Sequence, residues 1–140
     1  MSTTDAEGGT LVGSVVVESA AGYAQTVRAG HHRLTADEPA GGGGTDTGPA
    51  PYSLLLAALG ACTSITLRMY ADRKGWGLGA VHVALRLILD GQAERIEREL
   101  SFGAALTEEQ RHRLLEIADK TPVTRTLRTG LPITTRVAAG

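Results

Sequence analysis

The longest apolar stretch of the chain lies near its middle, between Tyr52 and Leu67. No charged residue interrupts it, and Ile65 and Met69 extend the apolar character at helical spacing. A helix here is apolar almost all the way round, which is typical of a helix at the centre of a fold. Because the stretch is shorter than the ~20 residues that cross a bilayer, we predict a buried core helix and no membrane association.

Signals at both ends delimit this predicted helix. Pro49 and Pro51 oppose a helix upstream, and Ser53 can cap the first turn. Gly75 follows two basic residues at the other end, as at many helix C-termini. The predicted helix therefore starts near Ser53 and stops before Gly75.

The segment before the helix predicts two strands and a loop. Residues 10–18 are rich in β-branched side chains, and residues 23–34 form a plausible antiparallel partner. Residues 36–51 contain four consecutive glycines and three prolines, a composition that predicts a loop. The small, polar residues 1–9 predict a disordered N-terminus.

The segment after the helix predicts a second hairpin. Residues 81–89 alternate with period two, an Asp-Gly pair at positions 90–91 forms the turn, and residues 95–102 alternate again. The second strand places Ile96, Leu100 and Phe102 on one face. Glu97 and Glu99 fall on the other face, where we expect a solvated surface and not a catalytic carboxylate pair.

Two helices and a strand are predicted to close the chain. Thr107 and Gln110 have the spacing of a capping box and start an amphipathic helix that runs to about residue 119. Thr121 as N-cap, Pro122 at the first helical position and Gly130 past the end predict a second, short helix. Residues 131–137 alternate as a final strand.

The predicted order is ββαββααβ, an α+β fold with an antiparallel sheet in one domain over residues 10–140. One sheet of about five strands covers only one side of an apolar helix. The uncovered side predicts an intertwined homodimer that buries two central helices together.

Composition excludes several classes of function. With 14 basic and 15 acidic residues, the net charge of -1 offers no surface for nucleic acid or an anionic membrane. The four histidines are in no recognised ligand spacing and the chain has one cysteine, so we predict no metal site, no other cofactor and no internal disulfide. The N-terminus lacks the features of a signal peptide, so we expect a cytoplasmic protein.

Cys62, on the predicted central helix, is the one candidate redox or nucleophilic centre. It lies beyond the first helical turn, so a reactive thiolate there needs a cation from elsewhere in the fold. A lone cysteine among leucines and alanines is more often an inert packing residue. The residues by themselves leave both interpretations open.

Three segments resemble the OsmC/Ohr family of osmotically inducible and organic-hydroperoxide-resistance proteins, in its OsmC-like subgroup. They read HHRLTADEP, GGTDTGPAPYSLLLAALGACTSITLRMYADRKGW and EEQRHRLLEIADKTPVTRTL, and they cover most of the chain. The resemblance implies a domain-swapped homodimer with two active sites at its interface, in which a cysteine pair reduces hydroperoxides. Cys62 matches the cysteine that attacks the peroxide.

The chain departs from the family pattern at the other site positions. The family's second cysteine and, in the closest subgroup, a histidine correspond to Thr121 and Thr124 here. The family glutamate that binds the site's arginine falls at Tyr52 or Ser53, neither of which has a carboxylate. Thr121 is interpreted as a helix cap without redox chemistry, and a disulfide cycle within one chain is excluded.

Two functions follow. In the first, Cys62 reduces organic or inorganic hydroperoxides in oxidative stress defence and is regenerated by an external thiol. In the second, the homodimer has lost turnover and binds a small hydrophobic ligand, or Cys62 senses oxidants. Arg28 and Arg33 are the candidate cations, supplied from the partner subunit to activate the thiolate.

Overall fold

The computed structural model describes residues 8–139. The chain divides into two compact units at Leu54 and Leu55. Most of the segment predicted to be disordered, residues 1–7, lies outside the described residues. The single domain predicted for residues 10–140 stays a prediction.

The first unit contains a three-stranded antiparallel sheet of strands β1 (Val16–Glu18), β2 (Gln25–Ala29) and β3 (His32–Ala36), in that order. The prediction of one strand over residues 23–34 is wrong, because the chain reverses at Gly30 and forms a hairpin. Gly30 has a φ of 62°, a left-handed conformation that favours glycine in a tight turn. The predicted first strand is also shortened, to three residues.

A buried carboxylate organises the loop that follows β3. Asp37 is 2 % exposed, and its Oδ2 accepts hydrogen bonds from the Thr45 hydroxyl at 2.8 Å and the Thr47 hydroxyl at 2.7 Å. The Thr47 amide donates to the same oxygen, and the Glu38 amide donates to Oδ1. The glycine-rich segment is therefore a folded loop, with hydrogen-bonded backbone that includes a short 3₁₀ turn at Ala40–Gly42.

Helix α1 (Pro51–Lys74) is the predicted central helix. It begins at Pro51 itself, two residues before the predicted cap Ser53, because proline suits the first helical position. Its length and composition would suffice to cross a membrane, although the core helix of a soluble protein meets the same criterion. Within one chain α1 buries a single face, formed by Leu59, Gly60, Thr63, Leu67 and Ala71.

The second unit packs helices against the predicted second hairpin. Strands β4 (Val81–Asp90) and β5 (Ala93–Phe102) pair in antiparallel register. Gly60 of α1 lies against Leu85 of β4, whose methyl group would be 2.8 Å from an added Cβ, so glycine permits this close approach. Helices α2 (Glu108–Ala118) and α3 (Pro122–Thr129) follow, and the predicted capping box of Thr107 and Gln110 is confirmed. The core consists of Leu67, Ala71, Leu78, Leu114 and Ala118.

The α+β class with antiparallel sheets is confirmed, but the element order is βββαββαα instead of ββαββααβ. The difference at the start comes from the extra hairpin. At the end, the strand predicted over residues 131–137 is not formed within the described chain. Leu131, Ile133 and Val137 are 68 %, 86 % and 96 % exposed, so this segment packs against little of the described part of the chain.

We expect Asp37→Asn to destabilise the first unit. Hydrogen bonds from Thr47, together with those from Thr45 and Glu38, hold the pKa of Asp37 well below its ordinary value of 3.8. Since the carboxylate is favoured in the folded state, its stabilisation is fully present above pH 3.8 and is lost as the pH falls towards the lowered folded value. An amide in this position directs N–H groups at donors and removes the charge.

The measurement is the thermal midpoint of the wild type and Asp37→Asn at pH 7 and pH 4. The variant should melt at a lower temperature at both values, with a gap that narrows only below pH 4. Asp46→Asn, in the same loop, is the control. Equal midpoints at pH 7 for the wild type and Asp37→Asn would contradict the role assigned to this carboxylate.

Candidate functional site

Cys62 lies at the middle of α1, where its side chain is half-buried. The preceding Gly60 and the following Thr63 are buried against the rest of the second unit. The sulfur is therefore at the margin of the buried face of α1 and is not sealed among leucines. A thiol with partial exposure can meet a small dissolved oxidant, which a fully buried thiol cannot.

A largely buried guanidinium lies beside this part of α1. Arg98 of β5 has a side chain only 13 % exposed. Its Nη1 donates to the Thr63 hydroxyl at 2.9 Å and to the Thr124 hydroxyl at 2.8 Å, and its Nη2 donates to the Ala118 carbonyl at 3.1 Å. One arginine thus joins β5, α1 and the junction between α2 and α3.

The charges around Arg98 do not cancel. Asp119 is the nearby carboxylate, with an Oδ1 that lies 3.7 Å from Arg98 Nη2 and 3.2 Å from Arg128 Nη2. Two guanidinium groups therefore share one carboxylate, which is itself 60 % exposed. Burying a charge is costly unless an opposite charge or good hydrogen bonds compensate. An additional negative charge beside Arg98 would balance the group.

The electrostatic surroundings of Arg98 include Cys62. Burial has the largest effect on the pKa of Arg98 and lowers it, while Asp119 acts in the opposite direction. Repulsion from Arg128 lowers this pKa further, and attraction to the Cys62 sulfur raises it. The Thr63 hydroxyl that accepts from Arg98 Nη1 belongs to the residue after Cys62, so the guanidinium binds α1 one residue away from the thiol.

Thr121 and Thr124 lie next to this arginine and are 0 % and 5 % exposed. Their hydroxyl oxygens are 2.6 Å apart, and Thr124 also contacts the Ala118 carbonyl at 3.3 Å. Thr121 occupies the N-cap position of α3 as predicted, but its hydroxyl makes no capping hydrogen bond to the helix. The interpretation of Thr121 as a simple cap is therefore corrected: its hydroxyl bonds to that of Thr124.

The other predicted site residues lie in or near the first unit. Arg28 of β2 forms an exposed ion pair with Glu18 of β1, and the exposed Arg33 of β3 is directly opposite Arg28 in the register. Tyr52 and Ser53 are exposed in the first turn of α1. The structure brings Thr121 and Thr124 together around Arg98, whereas Arg28 and Arg33 belong to the separate three-stranded sheet.

Arg98 and Thr63 are the residues that sequence reasoning missed. The signal for Arg98 was present, because it falls between Ile96 and Leu100 on the apolar face of the second predicted hairpin. A charged residue in phase with buried neighbours indicates a buried, partnered charge. Thr63 carried no comparable signal, since a threonine in a helix more often bonds to its own backbone. It does so here as well, donating to the Leu59 carbonyl at 2.7 Å.

The described residues offer no alternative centre for metal chemistry. No group of three or more His, Cys, Asp or Glu side chains within residues 8–139 is arranged to hold a metal ion. The arrangement that the structure does show is a half-buried thiol one residue away from a threonine that binds a guanidinium. A cation favours the thiolate, which is the nucleophilic form of cysteine.

Comparisons with solved structures show the fold. An OsmC-like protein from Mycoplasma pneumoniae is 17% identical with a TM-score of 0.68, over 82% of this chain and 84% of that chain. An organic hydroperoxide resistance protein OsmC from Legionella pneumophila is 18% identical with a TM-score of 0.63, over 85% and 92%. The organic hydroperoxide resistance protein OhrB of Bacillus subtilis is 20% identical with a TM-score of 0.59, over 84% and 91%.

Sequence comparison identifies the family. A search of curated proteins gives no match. The family model described as OsmC-like protein matches residues 43–136, a segment that includes Cys62, Arg98, Thr121 and Thr124. The match covers well over half of the chain and agrees with the fold of the similar structures. This chain belongs to the OsmC-like protein family.

Proposed function

We propose that this protein reduces hydroperoxides with Cys62 as its only redox centre and takes the reducing equivalents from an external thiol. The observation that carries the proposal is the largely buried Arg98 guanidinium. Its nearby carboxylate is shared with Arg128, and its Nη1 donates to the hydroxyl of Thr63, the residue after the half-buried Cys62. Two similar structures are named organic hydroperoxide resistance proteins, which supports the same substrate class.

The proposed reaction has three steps. The Cys62 thiol loses its proton to solvent, and the thiolate attacks the terminal oxygen of a hydroperoxide ROOH and breaks the O–O bond. RO⁻ leaves and takes up a proton from solvent to give ROH, and Cys62 becomes a sulfenic acid. A thiol R′SH then condenses with the sulfenic acid, releases water and forms a mixed disulfide. A second R′SH attacks this disulfide, which releases R′SSR′ and regenerates the Cys62 thiol. The peroxide is reduced by two electrons and two thiols are oxidised.

The external thiol is required because the chain contains a single cysteine. Thr121 stands where the resemblance places a second cysteine, and a hydroxyl cannot form a disulfide. The cycle therefore depends on the concentration of a small or protein thiol in solution. In its absence the protein should be oxidised once and then stop, which is the behaviour of an oxidant sensor and not of an enzyme.

The first test is thiol-dependent consumption of an organic hydroperoxide. Purified protein with a dithiol reductant should consume many equivalents of peroxide per chain, because each turnover regenerates Cys62. Cys62→Ala should show only the uncatalysed background of the reductant. Consumption by the wild type that does not exceed the Cys62→Ala background would refute the proposed enzyme activity, and one equivalent per chain would support an oxidant sensor instead.

The second test concerns Arg98. Arg98→Gln should slow alkylation of Cys62 by iodoacetamide at pH 7 by about tenfold, because removing the cation disfavours the thiolate. Arg98→Lys keeps the positive charge but loses the planar guanidinium with its several N–H donors. Its alkylation rate should therefore lie between those of the wild type and Arg98→Gln. Arg95→Gln is the matched control, since Arg95 lies on the same strand with a side chain 52 % exposed. An unchanged rate in folded Arg98→Gln would remove Arg98 from the mechanism.

We further propose that the protein is a homodimer. Ile65 and Met69 lie one turn apart on α1 and are 57 % and 60 % exposed, and Ala58 and Ala61 are exposed on the same helix. A contiguous apolar face of a core helix favours burial against a second copy. Arg28 and Arg33 stay the proposed cations that a partner subunit supplies, in addition to Arg98 from the same chain.

The homodimer predicts a sedimentation mass of twice one chain. Met69→Glu should shift the mass towards one chain, because a carboxylate in the apolar contact loses its hydration without a partner. Arg111→Glu changes an exposed residue of α2 and serves as the control. A wild type that sediments as a single chain at micromolar concentration would contradict the dimer.

A further inference from the structure

Thr121 and Thr124, which stand where the resemblance places a cysteine and a histidine, form a hydrogen-bonded unit with Arg98. Thr121 and Thr124 are almost fully buried, and their hydroxyl oxygens are 2.6 Å apart. Each hydroxyl has one proton to donate and two lone pairs to accept with. These numbers limit which hydroxyl of the pair donates to the other.

These hydroxyl protons all have acceptors if the Thr121 hydroxyl donates to Thr124. Thr124 Oγ1 accepts a hydrogen bond from Arg98 Nη1 at 2.8 Å, so one of its lone pairs is occupied. Its own proton lies within 3.3 Å of the Ala118 carbonyl, which leaves the second lone pair for the Thr121 hydroxyl. Thr121 then donates to Thr124, and Thr124 donates to Ala118. Each polar hydrogen in this chain has an acceptor.

Thr63 completes the arrangement from the other side. Its hydroxyl accepts from the same Arg98 Nη1 at 2.9 Å and donates to the Leu59 carbonyl at 2.7 Å. The two protons of Nη1 therefore point at two buried hydroxyl oxygens on different helices. The guanidinium cannot rotate away from α1 without leaving buried N–H groups unpaired, which costs more than the hydrogen bonds themselves contribute.

Only some side chains can do this at position 124. A valine of the same shape has no acceptor for Arg98, and a cysteine sulfur is a weak acceptor. A serine keeps both the acceptor and the proton. A hydroxyl at position 124 therefore serves to bind Arg98, and this role is independent of the missing disulfide partner.

We propose that Thr124, with Thr63, is a positioning residue that holds the Arg98 guanidinium beside Cys62, and that Thr121 orients the Thr124 hydroxyl. The proposal rests on the proposed function of Cys62. It assigns to the second half of the site a role in holding the activating cation, in place of resolving the oxidised cysteine. In this single-cysteine site the threonines hold the activating cation, and the external thiol reduces the oxidised Cys62.

The test is the pH profile of Cys62 alkylation by iodoacetamide in Thr124→Val. Without the hydroxyl, the guanidinium is held less firmly near the sulfur. The rate at pH 7 should fall about fivefold, and the pH of half-maximal rate should rise. Thr124→Ser should restore the wild-type profile. Thr126→Val, at an exposed position of α3, is the matched control and should leave the profile unchanged.

A double variant separates positioning from a general effect on stability. Adding Thr124→Val to Arg98→Gln should produce no further change in the alkylation profile, because Thr124 acts through Arg98. Thr63→Val should give the same upward shift as Thr124→Val and replaces it if that variant does not fold. Wild-type profiles in folded Thr124→Val or Thr63→Val, or additive shifts in the double variant, would overturn the proposal.

This test does not depend on peroxide turnover. Alkylation reports the reactivity of the sulfur even if the wild type consumes no hydroperoxide. A wild type without turnover but with the expected shift in Thr124→Val would refute the proposed enzyme activity and keep the positioning role. A wild type that turns over peroxide, together with an unshifted profile in Thr124→Val, would support the enzyme activity and refute the positioning role.

Discussion

The hydrogen bonding of one largely buried arginine joins several elements of the second unit. Arg98 projects from β5 among apolar neighbours and finds hydroxyl or carbonyl partners on α1, at the end of α2 and at the start of α3. A buried guanidinium must have such partners, because its hydration is lost on folding. The positions of these elements relative to one another are therefore constrained by this one group, which binds α1 one residue away from Cys62.

This constraint links stability and reactivity. The Arg98 charge is compensated mainly by neutral oxygen atoms and by a carboxylate that a second arginine shares. A fully neutralised arginine would leave little field at the sulfur. This incomplete balance is the basis on which we propose Arg98 as the cation that acts on Cys62. The folded loop around Asp37 in the first unit shows the contrast, since four hydrogen bonds satisfy that carboxylate locally.

Much of the fold was predictable from sequence because the signals are local. The alternation in β4 and β5, the capping box of α2 and the proline at the start of α3 all depend on neighbours within a few residues, and all are confirmed. The hairpin of β2 and β3 was missed because its turn rests on a single glycine, Gly30, in an otherwise strand-like segment. The predicted terminal strand failed because strand pairing needs a neighbour that sequence alone does not supply.

Among the residues of the candidate site, sequence reasoning proposed Cys62 for chemistry. It noted Thr121 and Thr124 for the side chains they replace, and interpreted Thr121 as a helix cap. Their use depends on Arg98, which is 23 to 26 residues away in the chain and meets them only after folding. Such contacts have no periodic signature. The one clue was the position of Arg98 on the apolar face of β5, which indicates burial but does not identify the partners.

The central claim is that the Cys62 sulfur reacts with a peroxide as a thiolate. The most direct measurement is the intact mass of the protein after one equivalent of an organic hydroperoxide at neutral pH, with a sulfenic-acid trapping reagent present. We predict one adduct of the trapping reagent per chain, attached at Cys62 and formed from the sulfenic acid with loss of water. A protein that stays unmodified under these conditions, while its thiol remains titratable after denaturation, would contradict the account.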